Sequence, residues 1–203
     1  MYTALRATSQ TLVAYLRQRV ETDPVLGTLF DPAQGGSMLV SLDTPAEMAD
    51  RPAEGLSVWL YRIVRDDQRL NAPPERIDLG HFRPTPLPLR LHYLMTPIRE
   101  PQTAAELGQE VLGKVLQALY EHPVLRGVDL QPGLSPATLE LTARLEPMTL
   151  EEISRIWEAL DKSYRLSVSY EVTVVAVDPE QEPEDAGVVQ VVLPDCGLIV
   201  AGS

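Results

Sequence analysis

A single cysteine, Cys196, occurs in 203 residues, so the chain can build neither an internal disulfide framework nor a Cys-rich zinc site. A lone thiol fits a reducing compartment. It stands beside Gly197 with no local histidine or basic partner, so nothing marks it as reactive. Long apolar runs are missing too. Arg6, Arg17 and Arg19 interrupt the first twenty residues and leave no secretory signal, and no stretch approaches the roughly 20 apolar residues of a bilayer span. The expectation is a soluble protein with no recognisable export address and no membrane partner. Positive charge is in deficit: 17 basic residues against 29 acidic ones leave a formal charge of −12. A field of that sign repels phosphate backbones, which excludes a general nucleic-acid binder.

Catalytic motifs are also wanting. There is no G-x-S-x-G elbow, P-loop or dinucleotide fingerprint. Gly35-Gly36-Ser37 precedes a strand, whereas phosphate-binding loops follow a strand and open a helix. Of the three histidines, His81, His92 and His122, none has another at the spacing of a local zinc pair. His92 reads as a surface or half-buried structural residue in a strand, and His122 as a charge at a helix C-terminus. The acidic pairs Asp66-Asp67 and Glu151-Glu152 are adjacent in sequence, so their side chains do not face each other as a shared-proton dyad would. No catalytic, cofactor-binding or metal-ligating set is expected.

Proline is plentiful, 18 residues lying mostly between regular segments, and implies stiff connections. A chain of this length buries roughly 70% of its unfolded surface and needs no staple to fold. Residues 3–21 have apolar positions at helical spacing (Leu5, Leu12, Val13, Leu16, Val20) and stop at Asp23-Pro24. Strands are expected over residues 38–42, 56–64 and 87–95, with loops at 31–37 and 44–55. A second helix spans 104–121, opened by Thr103 and Glu106 as a capping box and ended by His122-Pro123.

The best-patterned stretch is Leu139–Val175. Leu139, Leu141, Ala143 and Leu145 alternate with Glu140, Thr142 and Arg144, a strand with one buried face. After Glu146-Pro147, Thr149 and Glu152 form a second capping box, with Met148 and Ile153 placed as a hydrophobic staple. A further strand follows, Leu166, Val168, Tyr170, Val172 and Val174 alternating with polar residues. The helices do not alternate regularly with the strands, which argues against a doubly wound parallel sheet. The expected fold is α+β, a mainly antiparallel sheet with two to three packed helices. Residues 1–177 form that domain; residues 178–203 are an acidic linker and short tail, in which 188–193 has the composition of a last strand, within the chain or on a neighbour.

Between the second and third strands lies a polar, proline-rich loop, residues 65–86, long enough to be functional or disordered. Arg62, Arg65 and Arg69 cluster at its start on an otherwise acidic chain. With Asn71, Pro73 and Pro74 they form a candidate protein interface, a charged surface for a complementary partner. A solvated loop explains the cluster equally well. Arginine outnumbers lysine 15 to 2, which favours bidentate contacts or reflects base composition.

Several segments, in order, carry a family resemblance: LSVWLYRI (56–63), RLNAPP (69–74), PLPLRLHYLMTP (86–97), ELGQEVLGKVLQALYEHPVL (106–125), LELTARLEPMTLEEISRIWEAL (139–160) and YRLSVSYEVTVV (164–175). Together they resemble the cap, or tail-terminator, proteins of extracellular contractile injection systems, which are headless phage-tail-like particles. The resemblance implies a structural subunit, a homo-oligomer closing as a six-membered ring on the last layer of tube and sheath, and residence in the particle after cytoplasmic assembly. It implies no cofactor. Two other readings stay open. One is a small enzyme or ligand-binding domain with a site drawn from the 65–86 loop, His92 and distant acids; the other is an adaptor at another joint of a phage-like tail.

Overall fold

The computed structural model describes residues 2–51, 54–69, 75–76, 81–83, 85–99, 105–134, 140–177 and 184–185. Asn71, Pro73, Pro74, Thr103, Cys196 and the strand expected at 188–193 lie outside these residues. The frame is a six-stranded sheet of order β1-β2-β5-β8-β7-β6: β1 Leu39–Ser41, β2 Gly55–Arg65, β5 Leu87–Ile98, β6 Val124–Arg126, β7 Glu140–Leu145 and β8 Val168–Val177. Only the β1–β2 pair is parallel; every other neighbour in this sheet is antiparallel. The α+β expectation therefore holds. Among the described residues there are five helices rather than two or three: α1 Ala4–Glu21, α2 Gly27–Phe30, α3 Pro45–Asp50, α4 Ala105–Glu121 and α5 Leu150–Ala159.

Helices α1 and α4 pack against each other and cover one face of the sheet, where Leu12, Leu16, Leu56, Leu91, Tyr93, Val115 and Leu141 belong to one core. Three hydroxyls of α1 are buried with it, and each returns a hydrogen bond to a carbonyl four residues back: Thr8 to Ala4, Ser9 to Leu5, Thr11 to Ala7. Ser9 Oγ also lies 2.8 Å from Tyr93 Oη, which links the helix to the central strand. The other sheet face is covered as well. Met48 of α3 and Trp157 of α5 are buried, as are Leu94 and Ile98 of β5, and the Trp157 indole N–H donates to Ser167 Oγ at 3.2 Å.

Several elements differ from the sequence reading. Residues 44–55 are not simply a loop, since Thr44 and Glu47 form a capping box that starts α3, with Pro45 in the first turn where its missing N–H costs nothing. A short strand, β6, follows α4 and was not expected. In β8 the register against β5 slips by one residue between Leu91↔Val172 and Leu89↔Val175. This bulge places Val175, not the alternation's next residue, in the core. Leu166 is half exposed because the strand begins only at Val168.

A bulge in β2 has the same effect at Tyr61, between the pairs Leu60↔Tyr93 and Arg62↔His92. Without that extra residue Arg62 would fall on the core face; with it, Ile63 takes the position opposite Leu91. The long 65–86 loop contains two short strands, β3 Glu75–Arg76 and β4 His81–Arg83, which join β9 Glu184–Asp185 in a separate three-stranded sheet. The chain beyond β8 thus returns to the excursion between β2 and β5.

Candidate functional site

The arginine cluster starts where β2 leaves the sheet. Arg62, Arg65 and Arg69 are all exposed. Arg65 Nε lies 2.9 Å from Asp67, and Arg69 Nε lies 3.6 Å from Asp66. Asp66 is itself buried, accepts from the Gln68 N–H, and sits 3.8 Å from Arg90 Nε. Its backbone N–H donates to the Pro88 carbonyl at 2.9 Å, so this aspartate pins the loop's start to the sheet. Part of the positive charge is thereby answered within the loop. Glu152 at the start of α5 is held below its ordinary range first by the Thr149 backbone and hydroxyl hydrogen bonds, then by the charge of Arg155, with a smaller contribution from Arg62.

On the same sheet face lies a polar network the sequence did not reveal. His92 is 5% exposed, and its Nδ1 is 2.8 Å from Glu146 Oε1. Ser169 Oγ donates to the other oxygen of Glu146, and Tyr61 Oη lies 3.0 Å from Ser169 Oγ. Glu171, the direct cross-strand partner of His92, accepts from Arg90 at 3.4 Å. His92, Glu146 and Glu171 bring one ligand atom each within 4.8 Å of the others, the spacing of a metal centre. Arg90 already occupies one of the acids, however, and Glu146 is satisfied by His92 and Ser169, so the set is a hydrogen-bond network joining β2, β5, β8 and the turn into α5, in which the buried His92 Nε2 has no hydrogen-bond partner. Burial, desolvation above all, raises the Tyr61 hydroxyl and keeps it a neutral member. The sequence suggested a surface or half-buried His92; the expected helix α5 and α3, which was read as loop, both cover this face. His122 also differs from expectation: its Nδ1 lies 2.9 Å from Arg19, and since a guanidinium has only donors this nitrogen accepts.

A third feature is apolar and open. Between the last turns of α4 and the end of β7 runs a groove of about 620 Å³, lined mainly by Leu116, Tyr120, Pro123, Ala143, Leu145 and Tyr170. Tyr120 is 87% and Leu145 55% exposed, although the alternation of β7 had put Leu145 on the buried face. The face is the expected one, but α4 ends before covering its last row.

The fold has solved counterparts. It is similar to a PVC sheath/tube terminator of an extracellular contractile injection system, determined in the extended state, with a TM-score of 0.62 and 20% identity over 98% of this chain and 65% of that one. It is also similar to the tube-terminating cap of the anti-feeding prophage, with a TM-score of 0.61 and 20% identity over 95% of this chain and 60% of that one. The chain thus spans less than two thirds of either protein's length. No curated protein sequence matches it. The Pvc16 N-terminal domain profile matches residues 7–191, nearly the full length, and the chain belongs to that family.

Proposed function

We propose that the protein is a structural, non-enzymatic subunit that caps the tube and sheath of a contractile injection system, closing as a ring, six-membered in the simplest case, on the last layer and stopping polymerisation. The observation that carries this reading is the fold likeness along 95–98% of the chain to two terminators of such particles, in agreement with the family. Its partners are then further copies of itself and the tube and sheath proteins. It is made in the cytoplasm and leaves as part of the particle; among the described residues no helix is long and apolar enough to cross a membrane. Residues 1–177 act as the ring-forming body and 178–203 as an appendage to it. The arginine cluster, with Asn71, Pro73 and Pro74, serves as one contact surface.

Deleting the gene tests the proposal by electron microscopy of particles. Tubes and sheaths of irregular length with frayed distal ends are expected, restored when the protein is supplied in trans. Particles of normal length with a closed end overturn it.

A further inference from the structure

We infer that the groove between α4 and β7 receives an extended strand, residues 188–193, from a neighbouring copy of this chain; the inference rests on the ring reading above. Two properties of the groove define its occupant. The first is an open sheet edge. β6 pairs with β7 only from Glu140 to Thr142, and the last link across this edge is the Ala143 N–H to the Pro123 carbonyl at 2.7 Å. Beyond it the chain climbs into α4, so among the described residues no strand lies along Arg144 and Leu145 on this side, opposite to β8. The Glu146 N–H bonds Ser169 on the β8 side, and in an antiparallel strand alternate residues point their polar groups to opposite sides. The N–H and C=O of Leu145 therefore face the vacant edge, the arrangement that strand addition completes.

The second property is the apolar wall beside that edge. Leu116, Tyr120, Leu145 and Tyr170 accept alternate side chains of whatever strand pairs there. The occupant must be extended, β-branched and apolar. Among the stretches outside the described residues, 188–193, VVQVVL, has that composition over six residues, 198–201, LIVA, over only four, and 70–74 and 135–138, LNAPP and SPAT, lack it.

The ring reading favours a neighbour as the source, since a closed ring requires each subunit to present two different surfaces that fit one another. Each subunit would then give a strand to one neighbour and take one from the other, the head-to-tail contact that closes a ring.

Disulfide trapping in the full chain tests this. In a Cys196→Ser background, one preparation carries Leu145→Cys and a second carries Val191→Cys; they are mixed under mild oxidation, both as free protein and on assembled particles. A covalent dimer is expected in at least one of the two, about tenfold above a control in which Val128→Cys, at a fully exposed position outside the groove, replaces Leu145→Cys. Dimer no greater than the control in both settings overturns the inference. So does a doubly substituted chain that yields only an internal link, since the groove is then filled by its own tail. If trapping fails while deletion still leaves unterminated tubes, the terminator reading stands and the strand exchange falls.

Discussion

Asp23, just beyond the end of α1, has its Oδ2 2.9 Å from Lys114 Nζ on α4, and both side chains are mostly buried. The hydrogen bond from Lys114, followed by that from the Leu26 backbone N–H, holds the Asp23 carboxyl below its ordinary value of 3.8. A depressed folded-state value makes the pair's contribution complete above the unfolded value and removes it as pH falls through the folded one. Replacing Lys114 by Met should cost roughly 1 kcal/mol in denaturant unfolding at neutral pH. The gap to the natural protein should close below pH 3.8. A gap independent of pH would show that lost packing of the lysine stem, not the ion pair, is responsible. Nothing in the sequence pairs residues 23 and 114, and the same holds for Ser9 with Tyr93 and His92 with Glu146. Each link depends on elements being stacked, which local pattern does not encode.

At the scale of elements, the start of β2 is the most constrained point. Gly55 has φ of 140°, and a Cβ there would stand 1.9 Å from the Leu39 carbonyl oxygen, because β1 approaches it closely in the one parallel pair of the main sheet. Gly55→Ala should therefore destabilise the protein by about 2–3 kcal/mol, read as a lower midpoint in urea, with β1 losing amide protection first. Equal stability would mean that β1 can move away freely. Helix starts were the most legible elements. Thr149 and Glu152 make the reciprocal bonds their spacing implied, and Thr44 and Glu47 make the same pair, although the prolines around α3 disguised it as a loop. Strand alternation was legible only up to each bulge. One inserted residue at Tyr61 in β2 and the slip in β8 reverse the faces beyond them, and both depend on what the partner strand presents.

For the whole molecule, the cluster at Arg62, Arg65 and Arg69 remains the proposed charged contact, with its members now distinguishable. Arg69 leans on the buried Asp66, so reversing its charge would disturb the loop itself, whereas Arg62 and Arg65 are exposed and away from the core. Arg62→Glu together with Arg65→Glu should leave the thermal midpoint nearly unchanged and lower the fraction of capped particles severalfold. Full capping by this variant would remove both residues from the interface. The sequence by itself determined the fold class, the long helices, the main strands and the lack of a catalytic motif, because helix caps and hydrophobic periods are local and repeat within a few residues. It also pointed to the family. Only the tertiary structure decided that both sheet faces are covered, that the bulges re-aim β2 and β8, and that α4 stops short of Leu145 to leave an apolar groove beside an unpaired edge. Those features arise from how far one element reaches over another, a quantity set by packing between residues distant in the chain.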